Sequence, residues 1–199
     1  MFLTRRPSSD EIEQFLNRCR ELPLSYQPVG VAQRLPANFK IDEAQCALGN
    51  GIEVFERAKL ALTQWREFEL GWVELFPRDA SIEAGTVVAV VVNHLGFWSI
   101  NGCRVVYALG QPGSDSKFGF AYGTLTNHAE SGEEIFEVSI DAVSREVTYR
   151  IRAASKPRAA LARIGYPFTR ALQARFRRDS LAAMQRAVSS APNLTGDSE

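Results

Sequence analysis

Residues 86 to 154 contain five successive runs rich in β-branched and aromatic residues, at 86–92, 97–109, 117–126, 133–141 and 146–154, separated by turn-forming segments. Five such runs in succession predict an antiparallel β-meander. The first, Val87-Val88-Ala89-Val90-Val91-Val92, has no polar face, which predicts a strand covered on both sides. The last three runs can be tested against one another for register. With turns centred near 129/130 and 143/144, Gly123, Phe136 and Ile151 align, then Ala121, Val138 and Tyr149, then Gly119, Ile140 and Val147. That face is apolar throughout. The opposite face sets Tyr122, Glu137 and Arg150 in a row, with Ser139 beside Thr148, so a carboxylate meets a guanidinium. A slip of one residue would exchange both faces at once.

A long arginine-rich amphipathic helix is expected to follow, over 156–188. Its Leu161, Ile164, Phe168, Leu172 and Phe176 recur at three-to-four spacing. Pro167 lacks an amide hydrogen and opposes the carbonyl of Arg163, so a kink is expected at Gly165-Tyr166-Pro167. On the face assigned to the helix, Gly119, Ala121 and Gly123 have almost no side-chain volume. Either the helix packs closely there, or a cavity remains between it and a curved sheet that glycines help to bend.

Upstream, Ser8-Ser9-Asp10-Glu11 supplies N-cap residues for a helix over 9–21, stopped by Pro23. An irregular stretch to about Asn38 precedes a possible strand at 39–47, and Gly49-Asn50-Gly51 opens a helix over 52–68 with an apolar stripe through Phe55, Leu62 and Trp65. The fold class is therefore α+β, a meander wrapped on a C-terminal helix with N-terminal helices. The domain plan is a single unit over 1–188: an N-terminal segment 1–48, helix and connection 49–85, sheet 86–155, helix 156–188, and a disordered tail 189–199.

Composition bounds the rest. No run of eighteen apolar residues exists, and Met1 to Pro7 lacks the apolar core of a signal peptide, so the expected address is cytoplasmic. Cys19, Cys46 and Cys103 show no C-x-x-C spacing, so neither a disulfide framework nor a metal site is expected, and nothing implies a cofactor. Basic and acidic residues balance at 23 each, yet residues 150–190 hold ten Lys and Arg against Asp179 alone. Such a helix either faces an anionic partner or answers carboxylates of the same fold.

Several ordered motifs carry a family resemblance: Phe2-Leu3-x-x-Arg6-Pro7-Ser8, Gly49-x-Gly51, Ala61-Leu62-x-x-Trp65, and Tyr122-Gly123-Thr124-Leu125-x-x-His128-x-x-x-Gly132-Glu133-Glu134-x-Phe136. Ser155-Lys156-Pro157, Gly165-Tyr166-Pro167 and Gln173-x-x-Phe176 complete them. On these, nearly the whole chain resembles the uncharacterised protein family 0548, a bacterial and plant group bearing a domain of unknown function. The resemblance implies no catalytic residues. By analogy, a meander closed by a long C-terminal helix is similar to the helix-grip fold of START and polyketide-cyclase-like domains, which hold hydrophobic molecules between helix and sheet.

Three functions compete. The first is binding of a small apolar or amphipathic ligand against Gly119, Ala121, Gly123, Phe136, Val138, Tyr149 and Phe168. The second is a cyclase or isomerase using His128 with Glu133 and Glu134, where a hairpin brings an imidazole near carboxylates able to raise its pKa or orient its proton. The bland alternative is that His128 bonds a backbone carbonyl or Glu133 and merely shapes the loop. His94 lies outside the shared motifs and carries less weight. The third is contact with an anionic membrane surface or a protein through Arg158, Arg163, Arg170, Arg175, Arg177, Arg178 and Arg186. Nucleic acid is not expected, because no recognition motif accompanies the arginines. Gly49-Asn50-Gly51 lacks the third glycine and the lysine of phosphate-binding loops, which favours a capping turn.

Overall fold

A computed structural model describes residues 2–94, 96–110, 116–128, 130–157 and 166–190. The elements are β1 (Phe2–Leu3), α1 (Ser9–Cys19), α2 (Val31–Arg34), β2 (Lys40–Asn50), α3 (Ile52–Thr63), a 3-10 turn (Arg66–Phe68), β3 (Val73–Phe76), β4 (Val87–His94), β5 (Phe97–Leu109), β6 (Lys117–Thr124), β7 (Glu130–Ile140), β8 (Glu146–Pro157) and α4 (Tyr166–Ser190). Seven strands form a curled antiparallel sheet in the order β2-β8-β7-β6-β5-β4-β3, and β1 pairs with β5. The five expected strands are its consecutive centre. The possible strand at 39–47 is β2, bound to β8, while β3 arises in a stretch with no expected strand.

Local chemistry sets the helix ends. The Ser8 hydroxyl accepts from the Glu11 amide and the Glu11 carboxylate accepts from the Ser8 amide, a reciprocal cap that starts α1. The expected helix over 52–68 stops at Thr63, because Trp65 turns left-handed at φ 54° and leads into the 3-10 turn. The expected start of the last helix at 156 is also corrected: Ser155, Lys156 and Pro157 still belong to β8, paired with Glu130 to Gly132. Leu161, Ile164, Arg158 and Arg163 lie outside the described residues. The kink expected at Gly165-Tyr166-Pro167 falls at the edge of what is described, since α4 begins at Tyr166. Ser189 and Ser190 close that helix, and the rest of the expected tail lies outside the described residues.

The β7–β8 register is the expected one: Phe136 stands opposite Ile151, Val138 opposite Tyr149, Ile140 opposite Val147 and Glu137 opposite Arg150. The β6–β7 register is not. Phe120, rather than Gly123, stands opposite Phe136, and Tyr122 stands opposite Glu134. The displacement is odd, so every side chain of β6 changes face. Phe120 and Tyr122 point inward, each ring centroid 5.3 Å from that of Phe136. Gly119, Ala121 and Gly123 therefore lie on the outer face, away from α4, and Tyr122 leaves the row formed by Glu137 and Arg150.

Both faces of β6 are covered from Gly119 to Thr124, which is why its polar-apolar alternation could not fix its register. The inner face packs Val88, Val90, Phe120, Phe136, Val138 and Tyr149 against α3, the 3-10 turn and α4. The outer face of β4 packs Ala89 and Val91 against Ile12, Phe15 and Cys19 of α1, as its unbroken apolar run requires. The outer face at Ala121, Ile135 and Ala154 is covered by Tyr26, Val31, Ala32 and Phe39. Here the small residues of β6 have their use: a Cβ on Gly123 would lie 2.3 Å from the Tyr26 hydroxyl oxygen.

Candidate functional site

The two halves of α4 meet the sheet differently. In the second half Ser180, Ala183, Met184 and Val188 are buried, and the Tyr149 and Ser180 hydroxyls lie 3.0 Å apart in a hydrogen bond. In the first half Phe168, Leu172 and Phe176 stand over a cavity of about 470 Å³. Its apolar wall is Phe68, Trp72, Val73, Val90 and Val92, and its polar end gathers His94, Ser99, Asn101, Thr124, His128, Glu130 and Glu134. Close packing and a cavity, alternatives from sequence, thus occur at opposite ends of one helix.

Even-numbered residues of β7 face this space. The Tyr122 hydroxyl donates to the Glu134 carboxylate at 2.8 Å. Burial pushes Glu134 up to about 7, against the opposing pull of the Tyr122 hydrogen bond and the Arg177 charge. Burial also raises Glu130, which accepts from the Gln173 amide. The Glu130 amide donates to His128 Nδ1 at 3.0 Å, which puts the proton of the neutral ring on Nε2. Burial holds His128 down at about 4, so no carboxylate raises it as expected; it is a neutral imidazole at physiological pH. His94, hydrogen-bonded to the Ser99 hydroxyl at 2.7 Å, is lowered by burial as well. Its place was legible, since it continues the even-numbered face of Val88, Val90 and Val92.

Glu133 does not join this group. Its carboxylate turns to the outer face, 2% exposed, where it accepts from the Tyr26 hydroxyl at 2.7 Å, the Tyr107 hydroxyl at 2.5 Å, and the amides of Gly30 at 2.8 Å and Ala32 at 3.3 Å. It anchors residues 26–34 on the sheet. Of the expected ligand-contacting residues, Phe168 lines the cavity. Phe136, Val138 and Tyr149 share the inner face but are closed core, and Gly119, Ala121 and Gly123 are turned away.

Four arginines of α4 answer carboxylates of the same fold. Arg170 makes a two-pronged ion pair with Asp42 of β2, and Arg177 lies 3.5 Å from the same group. Arg175 lies 3.4 Å from Asp179 and 4.2 Å above the Trp72 ring, and Arg178 is 2.9 Å from Asp179. The Gly51 amide donates to the Arg145 carbonyl at 2.9 Å, so the turn at 49–51 directs that group inward and not at an anion. Among the described residues no cluster of three His, Cys, Asp or Glu has metal-holding geometry, and no helix is long and apolar enough to cross a membrane.

Residues 25–183 match the family model described as "Domain of unknown function (DUF1990)". The chain is 33% identical to a UPF0548 protein of Dictyostelium discoideum, over 98% of this chain and 99% of that one. A UPF0548 protein of Arabidopsis thaliana is 30% identical over 92% and 95% of the two chains. Among solved structures, a hypothetical protein from Helicobacter pylori shares the fold at a TM-score of 0.52 and 10% identity, covering 81% of this chain and 94% of that one. A START superfamily protein from Mycobacterium smegmatis aligns at a TM-score of 0.48 and 8% identity, over 75% and 97%.

Proposed function

We propose that this chain, which belongs to the DUF1990 family, binds one small amphipathic molecule in the cavity beneath the first half of α4. One observation carries the reading: a single helix is sealed to the sheet at Ser180 and Met184 and stands off it at Phe168, Leu172 and Phe176. Cores are packed to crystal-like density, so a space of this size is a binding volume rather than a packing fault. The aromatic and aliphatic wall suits an apolar body, and Glu134, Asn101 and Thr124 suit a polar head.

A second reading has its own support. A carboxyl held near neutrality beside a tyrosine hydroxyl can take or return a proton, as a cyclase or isomerase requires. In that reading Glu134 is the acid-base group, and Tyr122, rather than His128 or Glu133, is its partner. Binding is common to both readings.

Native mass spectrometry of the chain purified from its host, followed by organic extraction, tests the proposal. A single bound species is expected on the wild type and lost from Leu172→Trp, whose larger ring occupies the space. Repeated recovery of the bare wild-type chain, or equal loading of the variant, would overturn it.

A further inference from the structure

The charge balance of the cavity narrows its occupant. Glu130 and Glu134 project from one face of β7 with Gly132 between them, close enough that the Glu130 charge raises Glu134. Among the described lining residues there is no lysine, and the one arginine, Arg177, lies against Asp42. Both histidines are held neutral by burial. The same cavity is lined by the rings of Phe68, Trp72, Phe168 and Phe176, and Trp72 already carries the Arg175 cation over its ring at 4.2 Å. Two carboxylates and several aromatic rings around one cavity, with no lysine among the described lining residues, form the surroundings that an ammonium group prefers.

Resting on the cavity reading above, we propose that the occupant is an amphipathic amine, its ammonium held between Glu130 and Glu134 and its apolar body against Phe68, Phe168 and Phe176. Burial raises both groups by more than the charges of Arg177 and Arg170 lower them, and an ammonium between them adds a nearer counter-charge. An anionic amphiphile would instead add a third negative charge.

Binding should then follow the ionisation of Glu134. The groups facing Glu134 are Tyr122 of β6, Cys103 of β5, Tyr149 of β8, Arg177 of α4, Asp42 of β2 and Glu130 of its own strand. Burial holds the two tyrosines and the thiol protonated, and Asp42 is kept ionised by its arginines. Between pH 6 and 8 those groups keep their charge state, while Glu134, pushed up to about 7, titrates, and Glu130 is raised in the same direction.

Calorimetric titration of the full chain with octylamine, octanol and octanoate at pH 8 and pH 6 tests this. Octylamine is expected to bind at least about tenfold more tightly than octanoate at pH 8, and to weaken about tenfold at pH 6. Glu134→Gln and, independently, Glu130→Gln should erase the preference while octanol binds as before. If octanol or octanoate binds as tightly as octylamine, the amine assignment fails and the cavity reading stands. If none of the three binds, both fail.

Discussion

Glu133→Ala is expected to be the most damaging of the substitutions considered, lowering stability by about 4 kcal/mol. The carboxylate receives four donors at a site 2% exposed, the hydroxyls of Tyr26 and Tyr107 and the amides of Gly30 and Ala32. Removing it leaves those donors buried without an acceptor. It also frees residues 26–34, which cover Ala121 and Gly123 of β6. Typical domains have only about 5–15 kcal/mol in total, so urea unfolding should show a much lower midpoint or no folded baseline. Glu133→Gln keeps one acceptor oxygen but sets an amide NH₂ against donors, and should fall between. A loss under about 1 kcal/mol for the alanine variant would contradict the anchoring role.

Glu134→Gln and His128→Asn are expected to change stability with opposite dependence on pH. Glu134 is raised from 4.5 to about 7 on folding, so the folded chain holds the proton more tightly. Its contribution is complete below 4.5 and is lost as pH rises through 7, where the buried carboxylate costs about 3 kcal/mol. The glutamine variant should therefore gain on the wild type between pH 5 and pH 8, by roughly 6–12 °C in unfolding temperature. His128 is lowered from 6.5 to about 4, so its contribution is complete above 6.5 and lost as pH falls through 4. The asparagine variant keeps an acceptor for the Glu130 amide and should gain on the wild type as pH falls from 7 to 4. Parallel pH profiles for variant and wild type would show that neither group is buried as described.

Much of the architecture was legible because it depends on local pattern. The double-sided burial of Val87 to Val92 follows from an unbroken apolar run, and the β7–β8 register follows from an apolar row backed by Glu137 and Arg150. The β6–β7 register was not legible, because both faces of β6 are covered. Phe118, Phe120 and Tyr122 on one side and Gly119, Ala121 and Gly123 on the other are equally consistent with a buried face. That ambiguity put Gly119, Ala121 and Gly123 on the inner face, whereas they lie on the outer one. The small residues did mark a close approach, but of Tyr26. Proximity in sequence groups the adjacent Glu133 and Glu134 with His128, although the alternation of β7 that turns Glu134 inward turns Glu133 outward, one in the cavity and the other an anchor. The pairing of Arg170 and Arg177 with Asp42 was legible only as a charge balance, since β2 meets the helix through tertiary structure. Phe168, set on the inward stripe by helical spacing, lines the cavity.

The central claim is that the space under the first half of α4 is open and takes one guest. Fluorescence titration with the neutral naphthalene dye prodan measures it directly, comparing the wild type with Leu172→Trp and with Phe97→Trp, a change at a residue 62% exposed. A blue-shifted signal saturating at one dye per chain is expected for the wild type and Phe97→Trp, and its loss for Leu172→Trp. Absence of saturable binding to the wild type, or undiminished binding to Leu172→Trp, would contradict it.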